Sequence, residues 1–127
     1  MTGYVGNVEK LALENTDFRR VLFTGQHEQL VLMNLLPNED IGEEVHEIVD
    51  QFLRVEAGEG KVIIDGEEKA VSDGDSILVP AGAKHNLINT SDKNPLKLYT
   101  VYAPPHHKDG TTHKTKADAE SDTEDHI

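Results

Sequence analysis

Cysteine is absent from the chain. That absence removes disulfides, thiolate nucleophiles, zinc–thiolate centres and iron–sulfur clusters. Any metal must therefore bind through nitrogen and oxygen. Basic residues are scarce: 12 Lys and Arg stand against 24 Asp and Glu, giving a formal net charge of −12. A surface of that sign repels phosphate backbones and anionic lipid, so neither nucleic acid nor a membrane is an expected partner. Apolar residues are sparse too, at 36%, below the usual globular share, and part of the shortfall lies in a polar C-terminal stretch. No apolar run approaches the length of a membrane-crossing helix. The opening MTGYVGNVEKLALEN lacks the basic region and apolar run of a signal peptide. A cytoplasmic protein is expected. No long segment carries a helical apolar period, and no internal repeat is present.

What is present fits one domain with one core in 127 residues. Short β-prone runs dominate: Arg20–Thr24, Gln29–Leu36, Gln51–Glu56, Lys61–Ile64, Glu67–Val71, Ser76–Val79, Lys84–Asn89 and Leu96–Tyr102. In the third run Gln51, Leu53 and Val55 alternate with Phe52, Arg54 and Glu56, the period of a half-buried strand. Asp65-Gly66 between two such runs predicts a tight hairpin, because both turn residues need positive φ. Turn-forming residues punctuate the other runs, as in a β-sandwich or barrel. Residues 1–27 read as an N-terminal arm and first strand, 28–103 as the barrel, and 104–127 as a polar tail. The arm carries one apolar patch, Val8–Leu13. The tail has almost no large apolar side chains and is expected to be partly disordered, with Thr115–Asp118 shaped like the cap of a short helix. His106, His107 and His113 read as a polar exit loop. The sharper reading is that this segment folds back over a barrel mouth or crosses to a second subunit, with His107 or His113 reaching a pocket.

The most specific pattern is Gly74-x5-Pro80-x-Gly82-x2-His85-x3-Asn89. Gly74 permits a tight turn into a strand, Pro80 stops pairing, and Gly82 lets the chain reverse so that the next strand opens with His85 on a defined face. Asn89 suits the exit from that strand, since it tolerates left-handed geometry and bonds its own backbone. Upstream stands Glu44-x-His46-x4-Gln51-x6-Gly58. The later pattern is similar to the second motif of the cupin superfamily, G-x5-P-x-G-x2-H-x3-N, at every fixed position. The earlier one resembles the first cupin motif, G-x5-H-x-H-x3–4-E-x6-G, in part. His46 falls on its second histidine, while Glu44 replaces the first histidine, Gln51 the glutamate and Asn38 the leading glycine. The resemblance covers residues 28–103. The wording around the motifs, including the Pro-Pro-x-His tail, looks like a group of small single-domain bacterial cupins of unassigned function. It implies an all-β, double-stranded antiparallel β-helix, or jelly-roll barrel, with any metal inside.

Glu44 and His46 are two apart and share a face if they lie on a strand. Parity turns Gln51 inward with Leu53 and Val55, and the family places His85 opposite. The expected metal ligands are Glu44, His46, Gln51 and His85, around a divalent transition metal: Fe, Mn, Ni, Co, Zn or Cu. Two imidazoles and one carboxylate suit a facial triad with open positions. Gln51 is either a neutral fourth ligand through its amide oxygen or a group that holds water or Glu44. Glu44 is alternatively a general base, and the expected catalytic residue. Glu43 should face solvent by parity. Asp50 becomes the carboxylate ligand if a one-residue bulge shifts the register. The resemblance implies a metal-dependent oxygenase or isomerase acting on a small molecule within the barrel. The alternative is a non-catalytic cupin that binds a sugar-like molecule without essential metal. A homodimer is expected, with Val8, Leu11 and Leu13 of the arm crossing to a partner.

Overall fold

The computed structural model describes residues 2–126. A short helix α1, Val8–Glu14, precedes strands β1 Arg19–Thr24, β2 Gln29–Leu35, β3 Glu44–Val45, β4 Asp50–Ala57, β5 Glu59–Ile64, β6 Glu67–Ser72, β7 Ser76–Val79, β8 Lys84–Asn89 and β9 Leu96–Ala103. The two-residue strand β10, Thr112–His113, and helix α2, Lys116–Ser121, follow. Two antiparallel sheets pack face to face, one ordered β10-β1-β2-β9-β4-β7 and the other β3-β8-β5-β6. This is the expected all-β jelly roll.

Alternation builds the core. Along β9, Leu96, Leu98, Thr100 and Tyr102 are buried while their neighbours are partly exposed. Along β4, Gln51, Leu53 and Val55 are buried in the same way. β2 breaks the pattern, being buried at every position from Val31 to Leu35. Its second face is covered because α1 lies against β2, β4 and β9. Asn7 caps α1 by accepting from Lys10 N at 3.0 Å. Ala12 is fully buried, and Lys97 Nζ donates to the Asn15 carbonyl at 2.6 Å and to Asn34 Oδ1 at 3.0 Å. The apolar patch of the arm therefore folds onto its own sheet as a helix. The expected hairpin is present, with φ of 49° at Asp65 and 83° at Gly66, and β5 pairs β6 from Ile64↔Glu67 outward. Gly58, which anchors the earlier motif, has φ +110°, and a Cβ there would lie 2.6 Å from the Pro95 carbonyl oxygen. No larger residue fits that approach.

The polar tail carries two short elements. β10 pairs with β1 through Arg19↔His113 and Arg20↔Thr112. α2 starts with the capping box between Thr115 and Asp118, and Lys116 forms an ion pair with Asp40. His107, His113 and Asp125 are all buried. Polar contacts, rather than apolar burial, hold the segment. Gln29 is completely buried. Its Nε2 donates to the His107 carbonyl at 2.7 Å and to Thr24 Oγ1 at 3.0 Å. Its Oε1 accepts from the backbone N–H of His106 at 3.2 Å and of His107 at 3.0 Å. A composition-based reading cannot see one buried amide serving a distant backbone in this way. Gln29→Ala should free that backbone: native-state hydrogen exchange at the His106 and His107 amides should quicken by about 30-fold, the equivalent of roughly 2 kcal/mol of lost local protection. Unchanged exchange would show that the tail docks independently of Gln29.

Candidate metal centre

Three local devices aim side chains at one end of the barrel. β3 pairs with β8 in the register Glu44↔His85, so both side chains leave the same face of their sheet. The Pro80–Gly82 turn clasps the loop after β3: Gly82 N donates to the His46 carbonyl at 2.8 Å, and Ala81 N to Asp50 Oδ1 at 2.8 Å. Asn86 holds the loop before β3, accepting from Gly42 N at 2.9 Å and donating to Asp40 Oδ2 at 2.9 Å. The Pro-x-Gly of one motif thus fixes the histidine of the other.

Glu44, Gln51 and His85 line one small cavity with Ile41, Leu53 and Leu87. Its volume is about 10 Å³, room for one water-sized occupant. His46 lies beside them, its Nε2 3.7 Å from Glu44 Oε2 and its ring centroid 5.2 Å from that of His85. His46 Nε2 and Gln51 Oε1 are both buried without a hydrogen-bond partner. The Gln51 amide is oriented by its neighbour: Thr100 Oγ1 donates to the Phe52 carbonyl at 2.8 Å, so it must accept from Gln51 Nε2, which lies at 3.0 Å. That leaves the oxygen as the free end. His85 Nδ1 sits 3.0 Å from the Ala83 carbonyl, which accepts only an N–H. Nε2 of His85 therefore carries the lone pair.

Burial, reinforced by the neighbouring imidazoles His106 and His85, pushes His46 down to about 4. Burial lowers His106 to about 4 and His107 to about 2. These rings are neutral at neutral pH, the state in which imidazole ligates. Burial raises Glu44 above the usual carboxylate range, while the Arg19 guanidinium pulls it back. Tyr102, against which His46, His106 and His107 pack, is raised to about 12 by burial and stays un-ionised.

Sequence reasoning placed Glu44, His46, Gln51 and His85 together, and they meet at this end of the barrel. Glu43 is exposed and pairs with Lys84 at 3.3 Å. Asp50 is excluded as an inner carboxylate. β4 keeps its register from Asp50↔Ala103 through Val55↔Leu98, its irregularity falling between Val55 and Ala57, and Asp50 faces solvent at the turn. The residue that sequence reasoning missed is His106. Its ring centroid lies 4.3 Å from that of His46, and one ligand atom each of Glu44, His46 and His106 lie within 4.8 Å of one another. A signal existed: Pro104-Pro105 ends the last strand, and that end pairs with the start of β4, next to the His46–Asp50 loop.

A divalent metal suits this donor set of imidazoles, one carboxylate and an amide oxygen: Glu44, His46 and His106 bring ligand atoms within 4.8 Å of one another, and His46 Nε2 and Gln51 Oε1 are buried without a hydrogen-bond partner.

Comparison with known proteins agrees with this geometry. Residues 31–102 match the cupin domain family. The uncharacterized protein YrkC of Bacillus subtilis is 48% identical over 122 residues, 91% of this chain and 65% of that protein. A protein of Acanthamoeba polyphaga mimivirus is 43% identical over 111 residues, 84% of this chain and 69% of that protein. The chain thus spans about two thirds of the length of these relatives. A Bacillus halodurans crystal structure superposes with a TM-score of 0.91 at 46% identity, covering 94% of each chain. By motif, by barrel and by kinship, the chain belongs to the cupin family.

Proposed function

We propose that the barrel is a divalent transition-metal site held by Glu44, His46, His85 and Gln51 Oε1, with His106 closing it from the tail. The observation that carries this reading is the pair of buried polar atoms without a hydrogen-bond partner, His46 Nε2 and Gln51 Oε1, beside a carboxylate. Leaving such atoms bare costs about 1–3 kcal/mol each, and a cation removes the cost for both. When bound, such an ion supplies Lewis acidity toward a carbonyl or redox chemistry of the oxygenase kind. The activity that follows is that of a small oxygenase or isomerase. The chain's own part is to position and to move protons. Gln51 is held by Thr100 with its oxygen inward. Glu44, its pKa raised by burial, is the group placed to take a proton from a small molecule if it does not ligate.

The interior has no room for a substrate. Glu44 also lines a groove of about 130 Å³ between the barrel and α2, with Arg19, Ile41, Lys116 and His126. A small molecule approaches from there. The alternative, a sugar-like molecule enclosed without metal, needs far more than the 10 Å³ inside. The expected homodimer belongs to this proposal as well. Its support is β7, an edge of the six-stranded sheet that exposes Leu78, since an apolar edge strand is commonly covered.

The test is metal content. After equilibration with Fe²⁺, Mn²⁺, Ni²⁺, Co²⁺ or Zn²⁺ and dialysis, the wild type should retain one more ion per chain than His46→Ala. Equal retention with every metal would overturn the site.

A further inference from the structure

A second set of imidazoles shares only His106 with the barrel site. His106, His107 and His126 each place one ligand atom within 4.8 Å of the others. Their ring centroids are 4.6 to 5.2 Å apart. The three come from two ends of the tail, joined by a β-bridge between His107 and His126 and by the Lys108 N–H donating to the Asp125 carbonyl.

His107 is the informative member. It is 1% exposed. Its Nδ1 is committed to Asp125 Oδ2 at 2.8 Å, so Nδ1 carries the proton and Nε2 the lone pair. That Nε2 is buried without a partner. A carboxylate behind one ring nitrogen and a bare, buried lone pair on the other is the arrangement that orients metal-ligating histidines. Asp125 Oδ1 lies 3.4 Å from Nδ1 of His126 and makes no hydrogen bond of its own, so a further acceptor stands bare beside the cluster. Besides burial, Arg19 is the charged side chain whose field lowers both His106 and His107, and Asp125 is the carboxylate in contact with His107 and His126.

We propose that His106, His107 and His126 form a second cation site, oriented by Asp125, for a late divalent transition metal such as Zn²⁺, Cu²⁺, Ni²⁺ or Co²⁺. Three imidazole ligands favour those ions over Mg²⁺, Ca²⁺ or Mn²⁺. Binding there staples residues 125–126 to the 106–107 segment and fixes the tail across the end of the barrel that holds His46. His106 belongs to both clusters, so the two positions are neighbours.

The inference shares His106 with the proposed barrel site but does not depend on it. Calorimetric titration of the metal-free full chain with Zn²⁺ alone separates the two. His126 is an exposed side chain, so His126→Ala should fold normally. The wild type should bind two Zn²⁺ per chain. His126→Ala should weaken one of them by at least about tenfold, and so should Asp125→Asn, in the range of about 10–100-fold known for groups behind a ligand. His46→Ala should remove the other. A single Zn²⁺ lost in His126→Ala and kept in His46→Ala supports the tail site and sinks the barrel site. A single Zn²⁺ kept in His126→Ala, or one lost in both variants, overturns the tail site. So do two Zn²⁺ that are both indifferent to His126→Ala, and so does no binding.

Discussion

Saturating the barrel with its metal should raise the unfolding temperature of the wild type by roughly 10 °C more than that of His46→Ala. At free metal about 100 times Kd, a ligand bound only by the folded state adds about 2.7 kcal/mol. For a chain of this size each kcal/mol shifts Tm by roughly 3–6 °C. Without metal the two proteins should melt close together. His46 is buried, and its loss removes packing. The same loss also removes a buried nitrogen that has no partner, and the two changes oppose each other. A histidine kept for structure would behave the other way, with a large fall in metal-free stability and no change in the metal response. Differential scanning calorimetry on metal-free and loaded protein reads both quantities. Equal metal shifts in the two proteins would remove His46 from the ligand set.

Asn89→Ala should cost about 3–5 kcal/mol, a large share of the stability of a domain this size. The side chain is 1% exposed and serves four backbone groups. Nδ2 donates to the carbonyls of Leu35, Leu36 and Asn94 at 3.2, 3.1 and 2.9 Å, and Oδ1 accepts from Ser91 N at 2.9 Å. Two hydrogens are thus shared among three acceptors. Truncation strands these groups, at about 1–3 kcal/mol for each one left buried and bare. Asn89→Asp is nearly the same shape and should be worse at neutral pH, because a carboxylate oxygen then faces three carbonyl oxygens. Its folded-state pKa is raised above the unfolded value, so the folded form binds the extra proton and stability must recover as pH falls. Urea unfolding at pH 7 and pH 5 measures this. An Asp variant as stable as the wild type at pH 7 would show that the donor network does not hold the loop.

Asn89 also shows how far sequence reasoning reached. Its bond to the backbone two residues on is present, as expected of an Asx turn. The left-handed backbone expected there is absent, as Asn38 and Asp65 are the non-glycine residues with positive φ among those described. Its larger work joins residues 53, 54 and 5 positions away, which no local pattern shows. The strands were legible because alternation and turn residues are local. The ends of Lys84–Asn89 and Ser76–Val79 agree to the residue. The inward side of Gln51 was legible because motif spacing converts into strand parity, whereas His46 lies in the loop after β3 and its place near Glu44 and His85 follows from the family resemblance. α1 was missed because seven residues carry too little periodicity to register. The contacts of Gln29 and Asp125 with the tail were not legible, because they join residues far apart in sequence. His106 stayed hidden because its approach to His46 depends on which strands are neighbours.

The strand order has a consequence for synthesis on the ribosome. β9 lies between β2 and β4, and β1 waits for residues 112 and 113 to fill its outer side. The β5–β6 hairpin closes as soon as its own residues emerge, but β2 has no inner neighbour until β9 arrives roughly 70 residues later. At about 5–20 residues per second that interval lasts roughly 3–14 s. Throughout it a strand that is buried at all but one position in the finished fold presents bare amides and carbonyls, the condition in which nascent chains associate. Slower translation, or any lesion that delays β9, should lower the soluble yield without altering the stability of molecules that finish folding.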